Sequence, residues 1–158
     1  MNSYPTIYLI HGFIGSGKTT LAKKMEKELP AVRFTHDEIM LKRYGRAPDN
    51  FEEKYDEVDR FIKSEVAKCI ADGKSVIMDY GFWTKKKRKA YYDWAKSLTP
   101  SVMFCAVFCD KAVAKERALK RTEKNPEELF IDEDCFETFY QKFEPLKADE
   151  GYPIYQGK

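Results

Sequence analysis

The sequence predicts an α/β fold of three layers, with helices on both faces of a mainly parallel sheet. Short apolar runs alternate with helical patterns of similar or greater length along the chain, which is typical of βαβ units. The run at 75–79 is apolar almost throughout, as expected for a parallel strand covered on both faces. A length of 158 residues is that of one domain, so residues 1–158 are predicted to form a single unit.

In the first half of the chain, apolar runs predict strands, and apolar residues every three or four positions predict helices. Pro30 ends the first helix, and Gly73 suits the position that follows the end of a long amphipathic helix. The predicted order is strand 6–10, helix 18–29, strand 31–35, helix 36–45, helix 51–72 and strand 75–79.

In the second half, capping residues indicate where the helices begin. Thr84, Asp110 and Asp132 each precede a helical pattern, and each can accept a hydrogen bond from a backbone N–H of the first turn. The predicted order is helix 84–97, strand 102–108, helix 110–124, a helix from Asp132 that Pro145 ends, and a short strand at 152–155.

Composition narrows the classes of protein. Lys and Arg number 28 against 26 Asp and Glu, and the net charge of +2 is too small to attract nucleic acid or a membrane by itself. No run approaches the roughly 20 apolar residues of a membrane span, and no basic segment of a signal peptide precedes the first strand. The four cysteines form no C-x-x-C pair, which favours free thiols in a reducing cytosol and predicts a cytoplasmic location.

The most specific motif is G-x-x-x-x-G-K-T at 12–19, between a predicted strand and a predicted helix. Glycines there let backbone N–H groups turn inward around an anion, and the following helix adds the positive end of its dipole. Lys18 is suited to the β- and γ-phosphates of a nucleotide and Thr19 to Mg²⁺. The motif therefore predicts a nucleoside triphosphate site.

Spacing alone gives no separate role to Ser16 or Thr20, which lie in or beside the same loop. The predicted nucleotide-binding residues are Gly12, Gly15, Ser16, Gly17, Lys18, Thr19 and Thr20.

Carboxylates follow two of the predicted strands, at the edge where ligands of parallel sheets bind. Asp37 lies just beyond strand 31–35, where a carboxylate can orient an attacking hydroxyl; a helix N-cap or first-turn acid explains it equally well. Asp79 ends strand 75–79 and is expected to hold Mg²⁺ together with Thr19, although an ordinary turn residue is the alternative.

Aromatic and basic residues after Asp79 are candidates for contact with a second substrate. Phe82 and Trp83 could stack on an acceptor or could plug the end of the sheet. The lysines of the run 85–89 are interpreted as a solvated helix face, whereas Arg88 is expected to clamp a phosphate or carboxylate of the acceptor.

Arg117 and Arg121 are four residues apart and share one face of the predicted helix 110–124. Together with the loop at 122–130 they are typical of a lid that closes over the phosphates and neutralises the charge of transfer. The alternative is a pair of solvated arginines in a helix that is rich in lysine.

Taken together, the motif at 12–19, Asp37, Asp79 and the Arg117/Arg121 pair resemble the small P-loop kinases. These include polynucleotide 5′-kinase domains, zeta-toxin-type kinases, chloramphenicol phosphotransferase and the AAA-family ATPase-like kinases of bacteria. The resemblance implies a P-loop NTPase fold with strand order 2-3-1-4, and possibly a fifth strand. It also implies Asp37 as the base that activates the acceptor, and Arg117 and Arg121 as lid arginines.

Strand 75–79 ends in Asp79-Tyr80 without the Asp-Glu pair of hydrolytic ATPases, which favours an organic acceptor over water. The predicted function is therefore transfer of the γ-phosphoryl group of ATP, with Mg²⁺, to a hydroxyl of a small molecule or nucleotide. Lys18, Asp37, Arg117 and Arg121 would carry the reaction. A non-catalytic ATP-binding switch and a polynucleotide 5′-hydroxyl kinase are the alternatives, and the weak net charge does not favour nucleic acid.

Overall fold

The parallel sheet is the centre of the fold in this computed structural model, which describes residues 4–45, 48–124 and 131–155. In those ranges the strands are β1 (Thr6–His11), β2 (Ala31–Thr35), β3 (Ser75–Gly81) and β4 (Ser101–Ala106). They are all parallel and lie in the order β2-β3-β1-β4, so the strand order implied by the resemblance is confirmed.

The helices connect these strands and begin close to the predicted capping residues. They are α1 (Lys18–Glu28), α2 (His36–Tyr44), α3 (Phe51–Ala71), α4 (Lys85–Lys96), α5 (Lys111–Lys124) and α6 (Glu133–Tyr140), followed by a short 3₁₀ helix at Ala148–Glu150. The Thr84 hydroxyl accepts from the Lys87 N–H at 3.1 Å, and the Asp132 carboxylate accepts from the Cys135 N–H at 2.8 Å. The Asp110 carboxylate likewise accepts from the Ala112 N–H at 2.9 Å, so all three predicted N-caps are confirmed.

The main differences from the predicted elements lie at the ends of strands and of α6. β3 continues through Gly81, which pairs with His11 after a bulge in the ladder, whereas β4 stops at Ala106 and α6 at Tyr140. The predicted fifth strand is reduced to a single parallel bridge between Ile154 and Phe104. Pro153 supplies its carbonyl to this bridge but has no N–H to donate, so the ladder does not extend.

Alternate residues of β1 face opposite sides of the sheet and so build two separate cores. Ile7 and Leu9 pack with the apolar faces of α3 and α4, and Ile10 packs with α1 on the other side. A third cluster forms around Phe13 where α5 and α6 meet the loop that follows β1. The predicted arrangement of three layers is confirmed, and it places the carboxyl ends of the strands beside this loop.

None of the helices in the described ranges combines the length and the apolar character that a membrane span requires.

Candidate functional site

The loop between β1 and α1 has the backbone geometry of an anion-binding turn. Gly15 and Gly17 have φ angles of 78° and 101°, in the left-handed region that favours glycine. A Cβ on Gly15 would lie 2.2 Å from the carbonyl oxygen of Ala114, because α5 packs directly on the loop. α1 begins at Lys18, which is followed by Thr19 and the exposed Thr20. Backbone N–H groups at the start of α1 are therefore available to a phosphate.

Phe13 holds this loop in place through aromatic packing. Its buried ring lies 4.9 Å from Trp83 and 5.1 Å from both Phe136 and Phe143, measured between centroids. These partners come from the segment after β3 and from the region around α6, so distant parts of the chain hold the loop in place. A sequence motif treats the second residue of G-x-x-x-x-G-K-T as variable, and the packing role of Phe13 was not predicted.

Lys18 lies half-buried between the loop and the neighbouring carboxylates. Its Nζ donates a hydrogen bond to the Phe13 carbonyl at 3.2 Å. Burial lowers the pKa of the Lys18 ammonium, while the negative charges of Asp79 and Asp37 oppose that shift. The lysine is thus a compact cation with carboxylates on one side and the phosphate loop on the other.

Asp79 is the buried carboxylate of the site, with 4% of its surface exposed. Its Oδ2 accepts hydrogen bonds from the hydroxyls of Thr19, at 2.9 Å, and Thr35, at 3.2 Å. Burial raises the pKa of Asp79, and the neighbouring Lys18 charge and the two hydroxyls work against that shift. Thr35 was not singled out from the sequence, although it ends β2 beside Asp79 in the strand register.

The oxygens of Thr19 and Asp79 fit Mg²⁺ as part of a shared coordination sphere. No group of three or more His, Cys, Asp or Glu residues in the described ranges could hold a metal ion by itself. Mg²⁺ in phosphoryl-transfer sites is bound by one or two protein oxygens, and substrate phosphates and water supply the rest. A hydroxyl and a carboxylate joined at 2.9 Å match that requirement.

Asp37 is the exposed carboxylate of the site and lies in the first turn of α2. The residue at the N-cap position is Thr35, so the interpretation of Asp37 as a helix N-cap is wrong and that of a first-turn acid stands. The charge of Asp37 acts on both Lys18 and Asp79, which places it on the rim predicted from the strand ends. Its carboxylate is accessible, unlike that of Asp79.

Arg117 and Arg121 line an open cleft above the phosphate loop. The cleft has a volume of about 410 Å³, and its other walls are Gly15, Gly17 and Thr20. Both arginines are exposed, and the Arg121 charge lowers the pKa of Lys18 along with burial. The structure thus brings the predicted arginine pair to the predicted phosphate loop. Residues 125–130 of the predicted lid lie outside the described residues.

Arg88 does not contact the cleft, and its predicted role as an acceptor clamp is wrong. Its side chain is 0% exposed and forms a two-pronged ion pair with Glu150, at 2.8 and 2.9 Å. Its Nη1 also donates to the carbonyls of Phe82 and Glu144. The guanidinium is therefore fully engaged inside the protein, where it joins α4 to the C-terminal segment.

Phe82 is also buried, with 1% of its surface exposed, so its predicted stacking on an acceptor is wrong. Its ring packs between Tyr80 and Tyr91, with centroids 5.3 and 5.1 Å away. Trp83 is half-buried against Phe13 and Phe139, and its contact with an acceptor stays a prediction. Of the two interpretations of these aromatics, the plug at the end of the sheet describes Phe82.

His11 is a further residue of the site that the sequence did not point to. Its Nδ1 donates to the carbonyls of Gly81 and Phe82 at 2.9 and 3.0 Å, and its Nε2 accepts from the Leu146 N–H at 3.0 Å. Burial lowers the pKa of the imidazole to about 4, so the ring is neutral. One side chain thus ties the end of β1 to β3 and to the C-terminal segment, directly before the phosphate loop.

A family model described as AAA domain matches residues 7–146 of the chain. No curated protein sequence gives a match. Among solved structures, a candidate kinase from Chloroflexus aurantiacus has a TM-score of 0.77 at 17% identity and covers 96% of this chain and 86% of its own.

Two further solved structures share the fold. Kti12 from Chaetomium thermophilum, solved with ADP-AlF3, has a TM-score of 0.72 at 18% identity over 94% of this chain and 87% of its own. A chain of the Pnkp1/Rnl/Hen1 RNA repair complex has a TM-score of 0.73 at 18% identity over 90% of this chain and 45% of its own. These likenesses confirm the fold that the resemblance to P-loop kinases implied.

Proposed function

The chain belongs to the AAA domain family, and from that premise we propose that it is an ATP-dependent kinase that phosphorylates a hydroxyl of a small molecule or nucleotide. The observation that carries this proposal is the contrast between two carboxylates near Lys18. Asp79 is buried and hydrogen-bonded to Thr19 and Thr35, whereas Asp37 is exposed on the rim. One carboxylate is suited to organise the nucleotide and the other to contact a second substrate.

The phosphate loop and the arginine pair would bind the triphosphate of ATP from opposite sides. The backbone N–H groups at the start of α1 face the β- and γ-phosphates in P-loop proteins, and Lys18 adds a point charge there. Arg117 and Arg121 on α5 line the cleft over the same loop. Their fixed positive charge would stabilise the charge that spreads over the γ-phosphoryl oxygens during transfer.

Thr19 and Asp79 would hold Mg²⁺, and the bound ion would neutralise part of the negative charge of the phosphates. The residues of this chain then perform the remaining tasks. The hydrogen bonds from Thr19 and Thr35 keep the Asp79 side chain in one orientation. These hydrogen bonds also favour the charged form of the Asp79 carboxylate, as the neighbouring Lys18 charge does.

Asp37 would aim the acceptor hydroxyl at the γ-phosphorus. A new bond forms between the acceptor oxygen and phosphorus, the bond from phosphorus to the oxygen that bridges to the β-phosphate breaks, and the hydroxyl proton passes to the Asp37 carboxylate. ADP and the phosphorylated acceptor are the products. The next residue after Asp79 is Tyr80, whose hydroxyl donates to Asp59 at 2.9 Å, so that position offers no carboxylate to activate water.

Substitution of Asp37 by asparagine tests this proposal. We expect Asp37→Asn to bind Mg·ATP as the wild type does and to lose transfer of labelled γ-phosphate to a pool of hydroxyl acceptors, because the amide cannot accept the proton. The control is Glu38→Gln, which removes the neighbouring exposed carboxylate of the same turn, an acid that pairs with Arg33. Unchanged transfer by Asp37→Asn would remove Asp37 from the mechanism.

The same assay separates the two alternative functions. Label that stays on ATP with every acceptor, despite tight binding, would favour a nucleotide-binding switch. Transfer to a 5′-hydroxyl oligonucleotide that weakens steeply with added salt would favour a polynucleotide kinase, since phosphate contacts release counterions. A cytosolic location belongs to the same proposal and is supported by the four free thiols, Cys69, Cys105, Cys109 and Cys135.

A further inference from the structure

Lys87 is the basic residue of the run 85–89 that contacts Tyr55 on α3. Its Nζ donates a hydrogen bond to the Tyr55 hydroxyl at 3.2 Å and lies 4.8 Å from the centre of that ring. No carboxylate lies within ion-pairing distance of it in the described ranges, whereas Lys89 on the same helix pairs with Asp93 at 3.0 Å. Lys87 is therefore a positioned cation whose charge has no direct partner.

Tyr55 connects this lysine to the turn that carries Asp37. The Tyr55 ring stacks on His36 with centroids 3.8 Å apart, and the Tyr55 carbonyl accepts a hydrogen bond from His36 Nε2 at 3.0 Å. His36 is the residue directly before Asp37. The buried His36 side chain, with 2% of its surface exposed, thus links the turn of the exposed Asp37 to Tyr55, and Tyr55 in turn contacts the exposed Lys87.

The buried imidazole of His36 that stacks on Tyr55 is neutral and has one ring nitrogen without a partner in the described residues. A carbonyl can only accept, so the proton of the neutral ring sits on Nε2 and Nδ1 is left as an acceptor. Nδ1 is buried and has no hydrogen-bond partner in the described part of the chain. Burial lowers the pKa of this imidazole, which keeps that acceptor free of a proton.

The charges around Lys87 come from both neighbouring helices. On α4, Lys85 and Lys86 are exposed, and the positive end of the helix dipole lies at the same place. On α3, Asp56 and Asp59 act on Lys87, but Asp59 already receives the Tyr80 hydroxyl at 2.9 Å and pairs with Lys63 at 3.6 Å. The Glu144 carboxylate also lies at the start of α4, where it accepts from the Lys85 N–H at 3.3 Å, and with Lys85, Lys86 and Lys87 against it this end keeps an excess of positive charge.

We propose that Lys87, held by the Tyr55 hydroxyl, binds an anionic group of the acceptor while Asp37 contacts the hydroxyl that is phosphorylated. The substrate is then a hydroxyl compound with a carboxylate or phosphate at the end away from the hydroxyl that is phosphorylated. This inference rests on the proposed kinase function and adds the chemical class of the acceptor. Lys87, the residue directly before the buried Arg88, thus takes the role of binding an acceptor phosphate or carboxylate that the sequence analysis gave to Arg88.

Matched pairs of ligands test this assignment. The protein is saturated with Mg·ADP, labelled in its lysine side chains for NMR, and titrated with gluconate against glucitol and with glycerol 3-phosphate against glycerol. We expect at least one anionic ligand to shift the Lys87 signal and to bind about tenfold more tightly than its neutral counterpart, as hydrogen bonds to a charged group allow. The two pairs distinguish a carboxylate from a phosphate.

Variants on α4 separate a charge effect from a structural one. Lys87→Met should weaken binding of the anionic ligand about tenfold and leave the neutral ligand unchanged, and Lys87→Arg should restore most of the loss. Lys89→Met, which breaks an ion pair on the same helix, should change neither. Equal binding within both pairs, or an equal loss for charged and neutral ligands in Lys87→Met, would overturn the proposal.

Transfer assays keep this inference distinct from the proposed function. If neutral acceptors are phosphorylated as efficiently as anionic ones, and Lys87→Met does not change this, the anion site is refuted. The proposed kinase function is then still supported. Anion binding that depends on Lys87 without transfer from ATP to any acceptor would support the site and refute the kinase.

Discussion

Arg88 and the Arg117/Arg121 pair are residues of one type in opposite settings. Arg88 is fully buried, and its guanidinium is used by Glu150 and by two backbone carbonyls. Arg117 and Arg121 are exposed on α5 and line the cleft over the phosphate loop. From the sequence all three were assigned to ligand phosphates or carboxylates, and in the structure only Arg117 and Arg121 of these three line the cleft above the phosphate loop.

The difference shows how the two regions share the work. The segment held by Arg88 and His11 forms the support behind the phosphate loop, and both of these buried side chains are hydrogen-bonded inside the protein. The rim with Asp37, Lys87 and the arginine pair keeps its charged groups accessible. Substitutions in the support should therefore act on stability, and substitutions on the rim should act on binding and transfer.

The largest expected effect is that of Arg88→Met. Removal of the guanidinium leaves Glu150, whose side chain is 10% exposed, without its counter-charge and leaves two carbonyls unpaired. Breaking a buried pair in this way should lower the free energy of unfolding by about 3–5 kcal/mol. Urea unfolding followed by circular dichroism measures the loss.

A double variant sharpens this result. The Arg88 guanidinium holds the pKa of Glu150 below its usual value, so the pair is charged in the folded protein. Glu150→Gln added to Arg88→Met should recover part of the lost stability, since the unpaired charge is then gone. Lys89→Met is the control on the same helix and should have little effect. A stable Arg88→Met protein that fails only in transfer would contradict the assignment of Arg88 to the support.

The opposite behaviour is expected of Arg121→Met. Loss of one fixed positive charge at the phosphates should reduce the rate of phosphoryl transfer from labelled ATP by about 10²–10³ and leave the unfolding midpoint unchanged. Lys120→Met is the matched control, because Lys120 pairs with Glu116 on the same helix, at 2.7 Å. A fall in stability with no fall in rate would place Arg121 with Arg88 and break the comparison.

A smaller effect is expected from pH through His11. The pKa of this imidazole is about 4 in the folded protein against 6.5 for an ordinary histidine, so the unfolded chain binds the proton first as the pH falls. Stability should therefore be complete above pH 6.5 and should decrease down to about pH 4, by about 3 kcal/mol. Desolvation causes the shift, the Arg88 charge adds to it, and the Glu150 charge opposes it.

The measurement compares the pH dependence of the unfolding free energy in the wild type and in His11→Gln. The glutamine keeps a hydrogen-bonding side chain but does not titrate, so the difference between the two curves isolates His11 from the carboxylates. Parallel curves for the two proteins would show that the imidazole titrates normally and is not part of the buried support.

Local patterns predicted the fold almost completely, because strands and helices follow from nearby residues. The motif at 12–19 needs only a strand before it and a helix after it, and both are present. The strand ends then placed Asp37 and Asp79 on one rim. The errors arose where contacts link positions far apart in sequence: the Glu150 carboxylate and the carbonyl of residue 144 bind Arg88, and the N–H of residue 146 binds His11.

The sequence by itself determined the order of elements, the phosphate loop and the family resemblance, since these depend on spacing within short segments. Only the tertiary structure decided which charged side chains face solvent and which are paired inside. That choice depends on the partner each charge meets after the chain has folded, and a buried charge is stable only where such a partner is present. Arg88 meets Glu150 across 62 residues of sequence, while its neighbour Lys87 meets no carboxylate in the described ranges and stays on the rim.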